Sequence, residues 1–161
     1  YQSSTGELLM CSKAKLMIVN TPRTEAVAYA GNQSQQVNIL KSLKSSVPAM
    51  TGVTSCDGLP LKESRRILLI YSTRVANSGM EVSPDGVKLI KQGHFPVLMQ
   101  CGTVELELAV KPRHYRLFVI DFAGNRTEEL PVAGEKGIQK IRIDTSKLKN
   151  GPSVFFELIA E

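Results

Sequence analysis

Glu105 and Glu107 are the residues of this sequence that most invite a chemical reading. They lie in Thr103–Val110, where Val104, Leu106, Leu108 and Val110 alternate with Glu105, Glu107 and Ala109, so both carboxylates project from one face of a strand, roughly 6–7 Å apart. Catalytic carboxylate pairs of glycoside hydrolases stand about 5–9.5 Å apart. These two sit side by side on one strand, however, and not across a bound sugar; the reading preferred is the wet face of a half-buried strand. His94 and His114 are the only histidines, and Ser64, Ser72 and the other serines lack a GxSxG elbow. A small β-fold esterase using a serine, His114 and an aspartate is the enzyme reading left, with no motif behind it. P-loop, GxGxxG, HExxH and EF-hand patterns are all missing. The expectation is a chain with no catalytic constellation.

Binding chemistry is the next class to weigh. Sugar recognition needs aromatic rings for the apolar sugar faces and polar groups for the hydroxyls. The chain has no Trp, four Tyr and five Phe. Tyr71, Phe118 and Phe155 read as core or sheet residues, whereas Tyr29, Tyr115, His94 with Phe95, and Phe122 fall near loops. A modest glycan site would draw on Tyr29, Arg74, Asn77, His94, Tyr115 and Arg126, although for each aromatic residue packing is favoured over sugar contact. Asp121-Phe122-Ala123-Gly124-Asn125 offers oxygens to a structural calcium ion, but a Gly-Asn hairpin turn is the simpler reading. No cofactor is expected. Cys11, Cys56 and Cys101 are widely spaced with no histidine pair nearby, which argues against zinc and, by count, against a disulfide-held scaffold. Cys11 and Cys101, in or beside apolar runs, read as small core residues. Asn32-Gln33-Ser34 and Asn125-Arg126-Thr127 match the N-glycosylation sequon.

The formal net charge of +5 points weakly to an acidic partner. Its cations are scattered, and the densest group, Lys111 to Arg116, falls where a strand gives way to a turn. A solvated turn is the preferred reading, with no nucleic-acid partner.

The elements that must position these residues are strands. Arg66-Ile67-Leu68-Leu69-Ile70-Tyr71-Ser72-Thr73 is an apolar, β-branched and aromatic run between two turn signals, Asp57-Gly58-Leu59-Pro60 and Asn77-Ser78-Gly79. It predicts a central strand buried on both faces. Glu7–Cys11 and Lys15–Asn20 predict a hairpin; Glu25–Ala30, whose Ala and Glu would also suit a helical turn, is read by its short length and neighbours as a further strand. Val37–Leu43 is ambiguous between strand and short helix, and Ala49–Ser55 is a strand. Asn77–Gly86 reads as a long loop, Val87–Ile90 as a brief segment, and Gly93-His94-Phe95-Pro96 as a break. Strands follow at Tyr115–Asp121, Glu128–Val132, Ile138–Ile143 and Val154–Ile159. About ten to twelve short strands with little helix predict an all-β antiparallel β-sandwich of jelly-roll or Greek-key type.

At 161 residues the chain reads as one domain, 1–161. No apolar run reaches the roughly 18 residues of a membrane-spanning helix, so no membrane insertion is expected. With neither an initiator Met nor a visible signal peptide, the chain reads as a piece of a larger multidomain protein or a mature form, and the missing leader says nothing about compartment.

An ordered series of short motifs carries a resemblance: Thr5-Gly6-Glu7-Leu8, Thr21-Pro22-Arg23-Thr24-Glu25-Ala26, Pro60-Leu61-Lys62-Glu63-Ser64 with Arg66-Ile67-Leu68-Leu69, Asn77-Ser78-Gly79-Met80, and Gly93 with Pro96-Val97-Leu98. From about Thr5 to Glu161 the chain resembles the β-sandwich module, of carbohydrate-binding-module kind, found C-terminal to the (β/α) barrel of certain large secreted bacterial glycoside hydrolases. Two departures stand out. Met10-Cys11-Ser12 replaces a Trp-Asp after the first hairpin motif, and Met99-Gln100 stands where an acidic residue is common. What the resemblance implies is a secreted or cell-surface accessory module, its partners the catalytic barrel of the same polypeptide and a polysaccharide or oligosaccharide. The alternative is a stand-alone adhesion or protein-interaction sandwich without carbohydrate specificity.

Overall fold

The computed structural model of the chain describes residues 1–31 and 34–161; Asn32 and Gln33, and with them the first sequon, lie outside the described residues. Among the described residues there is no helix. The strands in chain order are β1 (Leu8–Cys11), β2 (Leu16–Asn20), β3 (Thr24–Tyr29), β4 (Leu40–Ser45), β5 (Ala49–Ser55), β6 (Arg66–Ser72), β7 (Val75–Ser78), β8 (Glu81–Val82), β9 (Leu89–Lys91), β10 (His94–Met99), β11 (Thr103–Ala109), β12 (Tyr115–Ile120), β13 (Arg126–Leu130), β14 (Val132–Glu135), β15 (Ile138–Asp144) and β16 (Phe155–Ala160). Twelve of them form an antiparallel β-sandwich: a large sheet in the order β1-β2-β3-β5-β6-β16-β12-β13 and a small one in the order β14-β15-β11-β4. The other four pair as β10-β7 and β8-β9.

Alternation decides what each strand buries. On β11, Val104, Leu106 and Leu108 point inward to Ile141, Ile143 and Leu43 of the small sheet. From the large sheet Val27, Val53, Ile67, Leu69, Tyr71, Leu117, Phe156 and Leu158 meet them in one core. Polar groups inside are satisfied. The Glu25 carboxylate, fully buried, accepts the backbone N–H groups of Asn38, Ile39 and Leu40 at 2.8–3.1 Å. The hydroxyls of Tyr71 and Ser45 share a hydrogen bond of 2.8 Å.

Several sequence expectations need correction. Of the two readings open for 37–43 the strand holds, but it starts only at Leu40, because the Glu25 carboxylate takes up the amides of 38–40. The central run does become an interior strand, β6, but only Ile67, Leu69 and Tyr71 enter the core, and the outward Leu68 and Ile70 are half-buried. Glu128–Val132 is two strands, because Pro131 has no amide for the ladder and the chain there passes from the large sheet (β13) to the small one (β14). Cys101 is exposed in the link from β10 to β11, Cys11 is half-buried, and Cys56 is exposed; all three are free thiols.

The largest difference is at 74–100, where the sequence suggests a long loop at 77–86, a brief segment at 87–90 and a break at 93–96. The whole stretch is an arm of two strand pairs. β7 pairs with β10 through Ala76↔Leu98 and Asn77↔Val97, and β8 with β9 beyond. Pro96, which has no N–H to give, is absorbed by a register shift between His94 and Val97, and the Phe95–Pro96 bond is cis. Gly93 (φ +74°) makes the sharp approach to Ser78 possible; a Cβ there would lie 2.5 Å from the Ser78 carbonyl oxygen.

Candidate functional site

The six residues considered for sugar contact do not converge. Tyr29 and Tyr115 alternate inward with their strands, and each is 5% exposed. The Tyr115 hydroxyl donates to the Ser64 carbonyl at 3.1 Å, and burial pushes both phenols above their ordinary range. Neither ring is presented at the surface for stacking. Arg126 lies on β13 at the far end of the large sheet, its Nε donating to Glu157 at 2.7 Å. Only Arg74, Asn77 and His94 share a neighbourhood, the arm. There Asn77 donates from Nδ2 to the Gln92 carbonyl at 3.1 Å, and His94 Nδ1 lies 2.7 Å from the Phe95 carbonyl oxygen.

The catalytic alternatives find no assembled geometry among the described residues. Glu105 pairs with Arg142, and Glu107 with Lys140 at 3.8 Å, across the outer face of the small sheet. His114 Nδ1 lies 3.1 Å from a Glu161 oxygen, and neither histidine hydrogen-bonds a serine. Ser64 donates instead to Asp57 and to the Arg66 carbonyl. Burial raises the Asp57 carboxyl, but the Arg65 amide, the Ser55 and Ser64 hydroxyls and the Leu59 amide outweigh it and hold the group far below the usual range. In the turn weighed for calcium, Asp121 accepts the amides of Ala123 and Asn125 with one oxygen and the Asn125 side chain with the other.

What the structure does build is a surface that the sequence reading missed, the outer face of the large sheet. Register alone lays it out in rows. The first, nearest the arm, runs Met10–Met17–Ala28–Met50–Ser72 across five strands. The second runs Leu8–Val19–Ala26–Gly52–Ile70–Phe155. The third is Thr24–Thr54–Leu68–Glu157–Phe118–Glu129, and the fourth Arg66–Ile159–Arg116. Charge lies in the last two rows and, because Ile120 pairs with both Phe155 and Arg126, at the β13 end of the second. There the buried Glu157 carboxylate accepts from Arg66 Nε at 2.5 Å and Arg126 Nε at 2.7 Å, and the Arg116 and Arg126 guanidiniums sit 4.8 and 5.1 Å from the Phe118 ring centre. Burial raises the Glu157 carboxyl, and the two arginines reverse that and leave it below its ordinary range.

The small sheet is opposite in character. Its outer rows are Lys44–Glu105–Arg142 and Glu107–Lys140, a cross-strand charge ladder suited to water. On the large sheet small residues (Ala26, Ala28, Gly52) form a trough between flanking Met and Ile side chains, and at its arm end an open groove of about 720 Å³ is lined by Met10, Met17, Ala28, Pro48 and Met50. Phe122, 84% exposed in the turn after β12, sets its ring edge-on to Phe155 at 5.8 Å.

No protein family, no curated protein and no solved structure matches the chain.

One trace of this face was present in the sequence, although only strand order assembles it. Outward positions of β3, β5, β6 and β16 hold no Lys at all, which a solvated antiparallel sheet of this width would not show.

Proposed function

We propose that the chain is a non-catalytic accessory β-sandwich of a secreted glycoside hydrolase, and that it supports the catalytic domain by packing the outer face of its large sheet against it. One observation carries the reading: the two sheets of one sandwich have unlike outer faces, a charge ladder on one and rows of Met, Leu, Val, Ile and Phe with an arginine-rich margin on the other. Met, aromatic residues and Arg are the types enriched at protein interfaces, and Lys is depleted there. The partner proposed is the catalytic barrel, because the residue series from Thr5 to Leu98 resembles the C-terminal sandwich of barrel hydrolases. Support is favoured over sugar capture because Tyr29 and Tyr115, the two tyrosines weighed for stacking, are packed inside, and the exposed rings Phe95 and Phe122 carry no hydroxyl to hydrogen-bond a sugar.

The test is Ile70→Lys, placed in the middle of the second row. Its expected effect is selective. The full-length polypeptide loses glycosidase activity on warming roughly tenfold faster, as loss of about 1–2 kcal/mol at a docked interface would give. The isolated 161-residue chain keeps its melting temperature. Unchanged heat resistance of the full-length polypeptide sinks the proposal. Affinity electrophoresis of the isolated chain through plant, algal and host polysaccharides is expected to show no retardation; retardation by one polymer class would make sugar binding the function instead.

A further inference from the structure

The arm is the least self-sufficient part of the molecule. Among the described residues, hydrogen bonds made by 75–99 stay within the arm. Its apolar side chains are nevertheless exposed on both of its faces: Val75 (52%), Leu89 (60%), Ile90 (65%), Phe95 (85%), Val97 (49%) and Leu98 (54%). A two-stranded ribbon is at best marginally stable in water without a body to pack on. These side chains and Val87 offer on the order of 700–800 Å² of apolar surface, about one partner's share of a standard protein interface. The arm also leaves the sandwich directly after β6, at the end of the sheet that carries the Met10–Met50 row. Ser72, Thr73 and Arg74 join the end of that row to the first apolar residue of the arm, Val75.

Charge narrows the occupant. Lys13, Lys15, Arg74 and Lys88 border this surface, and among the described residues none of them forms an ion pair; Lys91 is engaged by Glu81 at 3.5 Å, and Asp85 accepts from Ser83 and from the Val87 amide. A second copy of the chain, docked isologously, would set these cations against themselves. A surface that is apolar with carboxylates at its margin complements them.

We infer that the arm is a clasp, closing over the same folded domain that covers the large sheet, at a contact surface of that domain that is apolar and rimmed by carboxylates. This rests on the docking reading above. The experiment separates the two. In a background with Cys11→Ala, Cys56→Ser and Cys101→Ser, a single thiol is placed on the arm (Ile90→Cys) or on the sheet face (Ile70→Cys), and maleimide labelling is timed in the isolated chain and in the full-length polypeptide. Phe95→Cys on the opposite strand of the arm repeats the arm measurement should Ile90→Cys fail to fold. Arm labelling slowed roughly tenfold in the full-length polypeptide, and fast in the isolated chain, is the expected result. Arm labelling unchanged while the sheet thiol is protected overturns the clasp and leaves docking intact. Neither thiol protected overturns both. Arm protection already present in the isolated chain, and growing with its concentration, overturns the clasp in favour of self-association.

Discussion

Glu157 is the residue through which acid should act on this fold. Its carboxyl is buried, and burial alone would raise it, but Arg126 and Arg66 hold it below its ordinary value of 4.5. The folded-state value being the lower one, the unfolded chain takes up protons first as pH falls, so the stabilisation is present above about pH 4.5 and is lost below it. Glu157→Gln is expected to lower stability at neutral pH by about 1–2 kcal/mol, a discounted figure because both arginines are half exposed and water can replace the lost partner. The same variant should show a shallower fall in melting temperature between pH 4.5 and the acid end, measured by thermal melts across that range. The slope should not vanish, since Asp57, Asp121, Glu129 and Asp144 are held low as well. At this scale the sequence was only half readable. That Tyr29 faces inward follows from its two-residue spacing to Val27, yet its nearness to Gly31 suggested a loop ring. No local pattern announces that Arg66 and Arg126, sixty residues apart in the chain, meet on Glu157, because that is a matter of strand order.

Strands differ in how much of themselves they write into the sequence. β5, β6 and β11 have seven residues each, enough for three or four turns of the two-residue alternation, and their limits were legible almost to the residue. The arm's strands have two to six residues and are punctuated by Gly79, Pro84, Gly86, Gly93 and Pro96, so period cannot be told from chance there. Pairing makes the arm, and pairing is non-local. Gly93→Ala tests its independence. The added Cβ meets the Ser78 carbonyl at 2.5 Å and strains a left-handed backbone by about 1–2 kcal/mol. Amide shifts in the NMR spectrum are expected to change from 74 to 100 and the melting temperature of the sandwich to stay put. Loss of the sandwich fold with this variant would mean that the arm is a part of the core structure.

For the molecule as a whole, the fold class was legible because short apolar or alternating segments recur along the chain with turn signals between them, while the difference between the two sheets' outer faces emerged only once strand order placed outward residues in rows. On the docking proposal, that difference makes the chain's tolerance to mutation depend on whether it is read alone or within the larger polypeptide proposed for it. A library of single substitutions can be scored twice, once for folding of the chain alone and once for activity of the full-length polypeptide. Positions 105, 107, 140 and 142 are expected to accept change in both screens. Positions 28, 50, 70 and 155 should look neutral in the first and intolerant in the second, so that a surface silent in the purified domain would be under selection in the protein that carries it.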